Sequence, residues 1–172
     1  LFLTMMKENK LAKQLGLKYP ILQAPIGSMA GVELAAAVSN AGGLGSLALT
    51  WTPKEIAIEQ VRKLQTQTKN PFFVNYVLAF PLLSLDEMLE ADVRVVTFSW
   101  GDPKQLIQKC HNANALVGVT VGTPNGAKSA RDAGADARED EHRVQNPRGQ
   151  SGPGFFARGS AGLLRRTGQL HA

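Results

Sequence analysis

Residues 19–48 read YPILQAPIGSMAGVELAAAVSNAGGLGSLA, and the chain up to about residue 137 repeats their plan. A short apolar run at 20–24 breaks at Pro25 and Gly27 into a turn of small residues. A segment of helical period follows, in which Leu34, Ala37, Val38 and Ala41 stand at i, i+3, i+4 and i+7 and share one face. Gly42 and Gly43 stop it, because glycine takes the left-handed conformation at a helix end without steric cost. A second apolar run, 44–49, then begins. Strand, turn, helix, glycine stop and strand make a βαβ unit.

Upstream, residues 7–16 read as a short polar helix with Leu11 and Leu15 on one side, ending at Gly16. Downstream, the first capping box is Thr52-Pro53 with Glu55, opening a helix with Ala57, Val61 and Leu64 inward. A strand at 72–75 leads into an unusually apolar loop, 76–81. Ser84 and Glu87 form a second capping box, with Leu85, Met88 and Leu89 inward. A strand at 94–98 is followed by Asp102 and Pro103, which cap and start the next helix. After a strand at 116–121, Thr123 and Pro124 repeat that start, and Gly134 ends the last helix before a sixth strand expected near 135. Strand starts about 20 to 30 residues apart mean strands alternating with helices around a parallel sheet. The rhythm admits a doubly wound sheet of five or six strands, or part of a (β/α)8 barrel, which needs about 250 residues when complete.

The 172 residues suffice for one domain with a real core. Net charge is +5, but residues 1–137 hold 13 Lys and Arg against 11 Asp and Glu, and no basic stripe with interleaved aromatics appears. Nucleic-acid binding is therefore not expected. No run approaches the ~18 apolar residues of a membrane helix. The start, LFLTMMKENK, lacks the parts of a signal peptide, and Met5 or Met6 offers a natural start. The lone Cys110 has no disulfide partner and reads as a buried small hydrophobe, which fits a reducing, cytoplasmic location.

After Ala137 the composition changes. Residues 138–172 hold six Arg and no Lys, where the body has ten Lys and three Arg, and no helix or strand period lasts. The chain thus divides into 1–137, a run of βα units, and 138–172, an atypical tail. The tail reads as a disordered basic extension or as sequence that has lost its reading frame. The second is favoured because the break falls where a sixth strand should begin.

Two places carry candidate chemistry. The turn Ala24-Pro25-Ile26-Gly27 leaves the carboxyl end of a strand, where parallel α/β folds place ligands, and its small residues let a flat molecule approach the backbone. An ordinary βα turn has the same spacing. Asn75 ends an apolar strand with a group that both donates and accepts, which is costly without a partner; its own loop backbone is the plainer partner. Gly42-Gly43-Leu44-Gly45 is not a dinucleotide fingerprint, because it precedes a strand and offers no helix N-terminus to a phosphate. Trp51 and Trp100 sit just past strand ends, as pocket walls or as rim packing, and His111 reads as a helix-end cap. No metal-ligand spacing, paired carboxylates or Ser/His/Asp arrangement is present, and no catalytic residue is assigned.

The opening stretch, with PFFVN at 71–75, VVTFSWGDP at 95–103 and GVTVGTPNGAKSARDAGADA at 118–137, resembles the first half of the nitronate monooxygenase family, formerly called 2-nitropropane dioxygenases. The resemblance covers about 120 of the 172 residues in family order. Flavin-dependent enoyl-acyl-carrier-protein reductases are similar over the same stretches. The resemblance implies a partial (β/α)8 barrel of five to six units, FMN as cofactor, and oxidation of an alkyl nitronate with oxygen, so a small-molecule substrate. It also implies that Ala24, Pro25, Ile26 and Gly27 lie against the flavin ring and that Asn75 contacts it. Ile26 replaces the family's usual Met, conserving bulk. Relatives continue past the AGAD match with a Gly-Gly-His segment whose His sits by the substrate. Here Arg138-Glu139-Asp140-Glu141-His142 stands instead, and His142 does not inherit that role. The alternatives are an inactive barrel fragment and an enoyl reductase.

Overall fold

The computed structural model describes residues 10–29, 31–140 and 154–157. Helix α1 (Lys10–Leu15) comes first, then a single 3-10 turn (Gly27–Met29) and α2 (Val32–Ala41). Strands and helices then alternate: β1 (Gly45–Ala48), α3 (Lys54–Gln67), β2 (Phe72–Val77), α4 (Leu85–Glu90), β3 (Val95–Ser99), α5 (Lys104–Asn112), β4 (Leu116–Val121), α6 (Pro124–Asp132) and β5 (Ala137–Asp140). A last strand, β6 (Gly154–Ala157), closes the series.

Strand order resolves the choice that periodicity left open. The sheet runs β1-β2-β3-β4-β5-β6 without a reversal, and β1 to β5 are all parallel. A doubly wound sheet reverses its order at a switch point. A monotonic parallel order with a helix in each crossover is the arc of a barrel, so the chain is a partial (β/α)8 barrel. Strand β6 departs from barrel winding by pairing antiparallel with β5.

Residues 20–24 do not form the full strand expected of them. They hold one parallel bridge, Leu22 to Leu44, with the Leu44 N–H donating to Ile21 O and the Gln23 N–H to Leu44 O, both at 2.9 Å. Pro20 and Pro25 remove a ladder donor at each end of this outermost segment.

The buried face of α2 also differs from the apolar stripe seen in sequence. Leu34 is half exposed, while Val32, Ala35, Ala36 and Ser39 turn to the sheet. The reason is close approach. A Cβ at Gly45 would collide with the Ala35 carbonyl and stand 2.7 Å from Ser39 Oγ, so only the small-residue face of α2 fits against β1.

Of the expected caps, Thr123 Oγ1 accepts the Gly126 N–H at 3.0 Å, whereas at α5 Pro103 takes the cap position and Asp102, one residue before it, accepts the Lys104 N–H on Oδ1 at 3.0 Å. The other two capping boxes do not form. Helix α3 starts one residue later than expected, with Pro53 in the cap position, and the Ser84 hydroxyl is taken by the Tyr76 hydroxyl at 2.9 Å.

Alternation along the strands gives the sheet two faces. Leu47, Val74, Tyr76, Val96, Phe98 and Val117 point to the helices and form the main core with Val61, Leu64, Met88 and Ile107. On the concave face, Leu44, Phe73 and Val95 are buried beneath Leu15 and Leu17 near the amino end of the sheet. Strand β5 pairs with β4 from Gly118–Ala137 to Val121–Asp140, so the ladder runs three residues past Ala137. Most of 138–172, including His142, lies outside the described residues.

Candidate active site at the carboxyl ends of the strands

Above the apolar layer of Phe73 and Val95, the concave face changes character. Ser46, Asn75, Thr97, Ser99 and Thr120 come from four adjacent strands, and register sets Asn75 beside Thr97. Asn75 is only 4% exposed. Its Nδ2 lies 2.9 Å from Thr97 Oγ1, 3.2 Å from Ser99 Oγ and 3.3 Å from the Thr97 carbonyl. Two amide protons serve two of those three acceptors at once. Ser99 Oγ donates onward to Thr120 Oγ1 at 3.2 Å.

On the β1 side, Gln23 clasps the main chain of Ser46, accepting its N–H at 3.2 Å and donating to its carbonyl at 3.3 Å. Thr50 Oγ1 accepts the Val77 N–H at 2.9 Å and ties the end of β1 to that of β2. Ser46 Oγ is buried without a hydrogen-bond partner, the single such side-chain atom among the described residues. Buried polar atoms are costly unless paired. The concave face at this end thus carries a largely buried tier of small hydroxyls and one amide, with one hydroxyl left over.

The turn expected to hold a ligand stands at this same end. Ile26 N–H donates to the Ala24 carbonyl and Met29 N–H to the Ile26 carbonyl, both at 2.9 Å. Ala24, Ile26 and Gly27 are exposed, Pro25 is half-buried, and Gly27 takes φ +37°. The five sequence candidates thus share the carboxyl end of the sheet, four on the turn and Asn75 on β2, with β1 between them. Gln23, Ser46, Thr97 and Ser99 escaped the sequence reading. Their signal was a Ser or Thr at every second position of an otherwise apolar strand, as in Thr97 and Ser99 of β3.

Trp51, Phe80 and Trp100 follow β1, β2 and β3 on successive loops of this rim and are exposed. Trp51 and Phe80 meet edge to face, with centroids 5.3 Å apart.

His111 lies at the other end of the sheet. Its Nε2 is 2.8 Å from Asp136 Oδ2, which also accepts the Val117 N–H at 2.9 Å. A cavity of about 630 Å³ opens there beside Lys69 and Arg94. In barrels that end carries stability and the opposite end carries chemistry, and the clamp from Asp136 across β4 and α5 is a structural joint. Cys110 is fully buried, and burial pushes its thiol up to about 11, which keeps it protonated and inert. Among the described residues, no group of three or more His, Cys, Asp or Glu is placed to hold a metal, and no helix is long and apolar enough to cross a membrane.

Comparison with known proteins adds the following. Residues 8–88 match the family model described as nitronate monooxygenase. Over 132 residues the chain is 35% identical to the (3aS,4S,5R,7aS)-5-hydroxy-7a-methyl-1-oxo-octahydro-1H-indene-4-carboxyl-CoA dehydrogenase of Rhodococcus jostii, covering 74% of this chain and 36% of that protein. Over 67 residues it is 43% identical to the nitronate monooxygenase of Pseudomonas aeruginosa, covering 39% of this chain and 19% of that one. The structure of FabK from Thermotoga maritima superposes with a TM-score of 0.73 at 30% identity, over 77% of this chain and 43% of that chain. The chain therefore spans about a third of the length of the first relative and about a fifth of the second.

Proposed function

Residues 8–88 are a nitronate monooxygenase family domain, and from that premise we propose that the protein is a flavin-dependent oxidoreductase that binds FMN at the carboxyl ends of its strands and oxidises alkyl nitronates with oxygen. The observation that carries the reading is the buried Asn75 amide within a tier of small hydroxyls. A flavin ring is flat and carries alternating donors and acceptors along one edge. Asn75 Nδ2 is spent on Thr97 and Ser99, so its carbonyl oxygen is the group that can accept, and Ser46 Oγ has unspent capacity. The turn at 24–27 offers exposed backbone and, at Gly27, no Cβ to hold a ring away. The residues present fit the group.

In this reading Ala24, Pro25, Ile26 and Gly27 lie against the ring, and Asn75 hydrogen-bonds to it. When bound, FMN supplies the redox chemistry, taking electrons from the nitronate and passing them to oxygen. The chain's own part is to orient. Thr97 and Ser99 fix the Asn75 amide by accepting from Nδ2, which leaves its carbonyl oxygen turned away from them. The buried strands beneath exclude water from the floor. The organisation follows the same reading: 1–137 belongs to the amino-terminal part of the barrel, whose parallel ladder reaches Asp140, and the location is cytoplasmic.

A second reading, a flavin enzyme acting on an acyl thioester, is favoured by one observation. One relative, matched over 74% of this chain, is by name a carboxyl-CoA dehydrogenase. Purified chain supplied with FMN separates the two. Oxygen uptake dependent on an alkyl nitronate supports the first, NAD(P)H oxidation dependent on an enoyl thioester supports the second, and neither activity from a folded, flavin-loaded chain marks an inactive barrel fragment.

A further inference from the structure

Asn125-Gly126 is the one Asn-Gly pair in the 172 residues. Glycine carries no side chain to shield its own nitrogen, so that nitrogen can reach the carboxamide of a preceding asparagine. The pair stands in the first turn of α6, where Thr123 is the cap and Pro124 the first helical residue. Asn125 is exposed, and its carboxamide has no hydrogen-bond partner among the described residues.

Two features of the folded chain hold the reacting groups apart. In a helix the Cα–Cβ bond leans toward the amino end, so the Asn125 side chain leans away from the nitrogen that follows it. The Gly126 N–H is also engaged, donating to Thr123 Oγ1 at 3.0 Å. A main-chain nitrogen whose proton is held in a hydrogen bond is a poor nucleophile until that bond opens. Thr123 is itself anchored, with extended backbone at φ −145° and ψ 154° and its carbonyl accepting the Ala127 N–H at 3.0 Å. The cap closes tightly, since a Cβ on Gly126 would stand 3.2 Å from Thr123 Oγ1 and 3.4 Å from Val121 Cβ.

We propose that Asn125 is a site of spontaneous deamidation and that the Thr123 cap sets its rate. When the first turn of α6 opens, the Gly126 nitrogen gives up its proton to solvent base and attacks Asn125 Cγ. A new C–N bond forms, the carboxamide C–N bond breaks, and ammonia leaves with a proton returned from solvent. Water then opens the resulting cyclic imide at either carbonyl, giving aspartate or isoaspartate, and nothing is oxidised or reduced. The two products act oppositely on α6. Aspartate adds a negative charge to a first turn that has none, which the helix dipole favours. Isoaspartate adds a methylene to the main chain, which carries the Gly126 N–H off Thr123 Oγ1 and loosens α6 where Ala127 and Ala130 pack on the core. None of this chemistry needs a bound flavin.

The test incubates the full 172-residue chain in mildly alkaline buffer and follows Asn125 by peptide mapping with fragmentation, which separates aspartate from isoaspartate. Thr123→Ala removes the cap hydrogen bond, so the open first turn is populated more and the rate rises about fivefold. Thr123→Ser caps as well and keeps the parent's rate to within about twofold. Hydrogen exchange at the Gly126 amide quickens in Thr123→Ala by the same factor as the deamidation, because both pass through the same opening. In strong urea the parent and both variants react equally fast, and faster than the folded parent.

Equal rates in the folded parent and folded Thr123→Ala, or a folded parent as fast as the unfolded chain, would overturn the role of the cap. Faster conversion at Asn112 or Asn114 than at Asn125 in folded Thr123→Ala would remove Asn125 as the site. Should Thr123→Ala lose its far-ultraviolet circular dichroism, the parent alone gives the same test in a urea series below its unfolding midpoint. There, deamidation at Asn125 and exchange at Gly126 rising together support the proposal, and a deamidation rate that stays flat while exchange rises overturns it.

Discussion

The backbone N–H of Gly45 donates to Ser39 Oγ at 3.1 Å, and the same hydroxyl donates to the Pro71 carbonyl at 2.9 Å. One small polar residue of α2 thus pins the start of β1 and the approach to β2. Ser39→Ala leaves both backbone groups without this partner in a buried place, at an expected cost of about 1–3 kcal/mol. Gly45→Ala forces α2 off the sheet and costs a similar amount, about 1–3 kcal/mol. Urea unfolding of the two variants measures both. A loss confined to a few tenths of a kcal/mol would mean that α2 does not sit this closely on β1.

The hydroxyls of Tyr76 and Ser84 satisfy each other inside the main core. Tyr76→Phe removes one and strands the other, so a loss of about 1–2 kcal/mol is expected. Ser84→Ala should cost about as much through the stranded phenol, and the double variant Tyr76→Phe with Ser84→Ala less than the sum. Additive losses would show that the two hydroxyls act independently.

Burial raises the pKa of both Cys110 and Tyr76 in the folded chain. In each case the unfolded chain releases its proton at lower pH than the folded one. Stability is therefore intact below the unfolded values and falls as pH rises through them, beginning for Cys110 near 9 and continuing to about 11. The slope is at most about 1.4 kcal/mol per pH unit for each group. Cys110→Ala should flatten the decline between about pH 9 and about pH 10, where the tyrosine contributes little. Parallel curves for variant and parent would contradict the assignment to the thiol.

Asp136 joins β4 to α5 by accepting from Val117 and pairing with His111. Asp136→Ala should lower stability by about 1–2 kcal/mol through the stranded amide, and hydrogen exchange at Val117 should quicken in step. Neither change should alter ligand binding at the opposite end of the sheet. A flavin affinity that moves with Asp136→Ala would place function at the amino end.

Much of this architecture was readable in the chain, and the failures have definite causes. Strand β4 was expected at its observed limits, since Leu116–Val121 is apolar, β-branched and bounded by turn residues. The barrel was not separable from a doubly wound sheet, because periodicity carries no strand order. The face of α2 was misplaced because apolar count pointed to Leu34 and Val38, whereas the distance to Gly45 selected Ala35 and Ser39. In the site, Asn75 stood out because an amide at the end of an apolar strand demands a partner. Thr97 and Ser99 did not stand out, because a lone hydroxyl suits either face of a strand and its role appears only when registers align. The cap at Ser84 failed for a similar reason, since its competitor Tyr76 lies eight residues away on the sheet.

The claim on which the account depends is that the carboxyl end of this partial barrel, at Asn75 and the turn at 24–27, takes a flavin. Titrating FMN with the purified 172-residue chain, followed by flavin fluorescence and absorbance, tests it most directly. The account predicts a saturable one-to-one complex, weakened about tenfold or more by Asn75→Ala in a variant that still unfolds cooperatively. A folded chain that leaves the flavin spectra unchanged at about millimolar FMN, or that binds it equally well with and without the Asn75 amide, would contradict it.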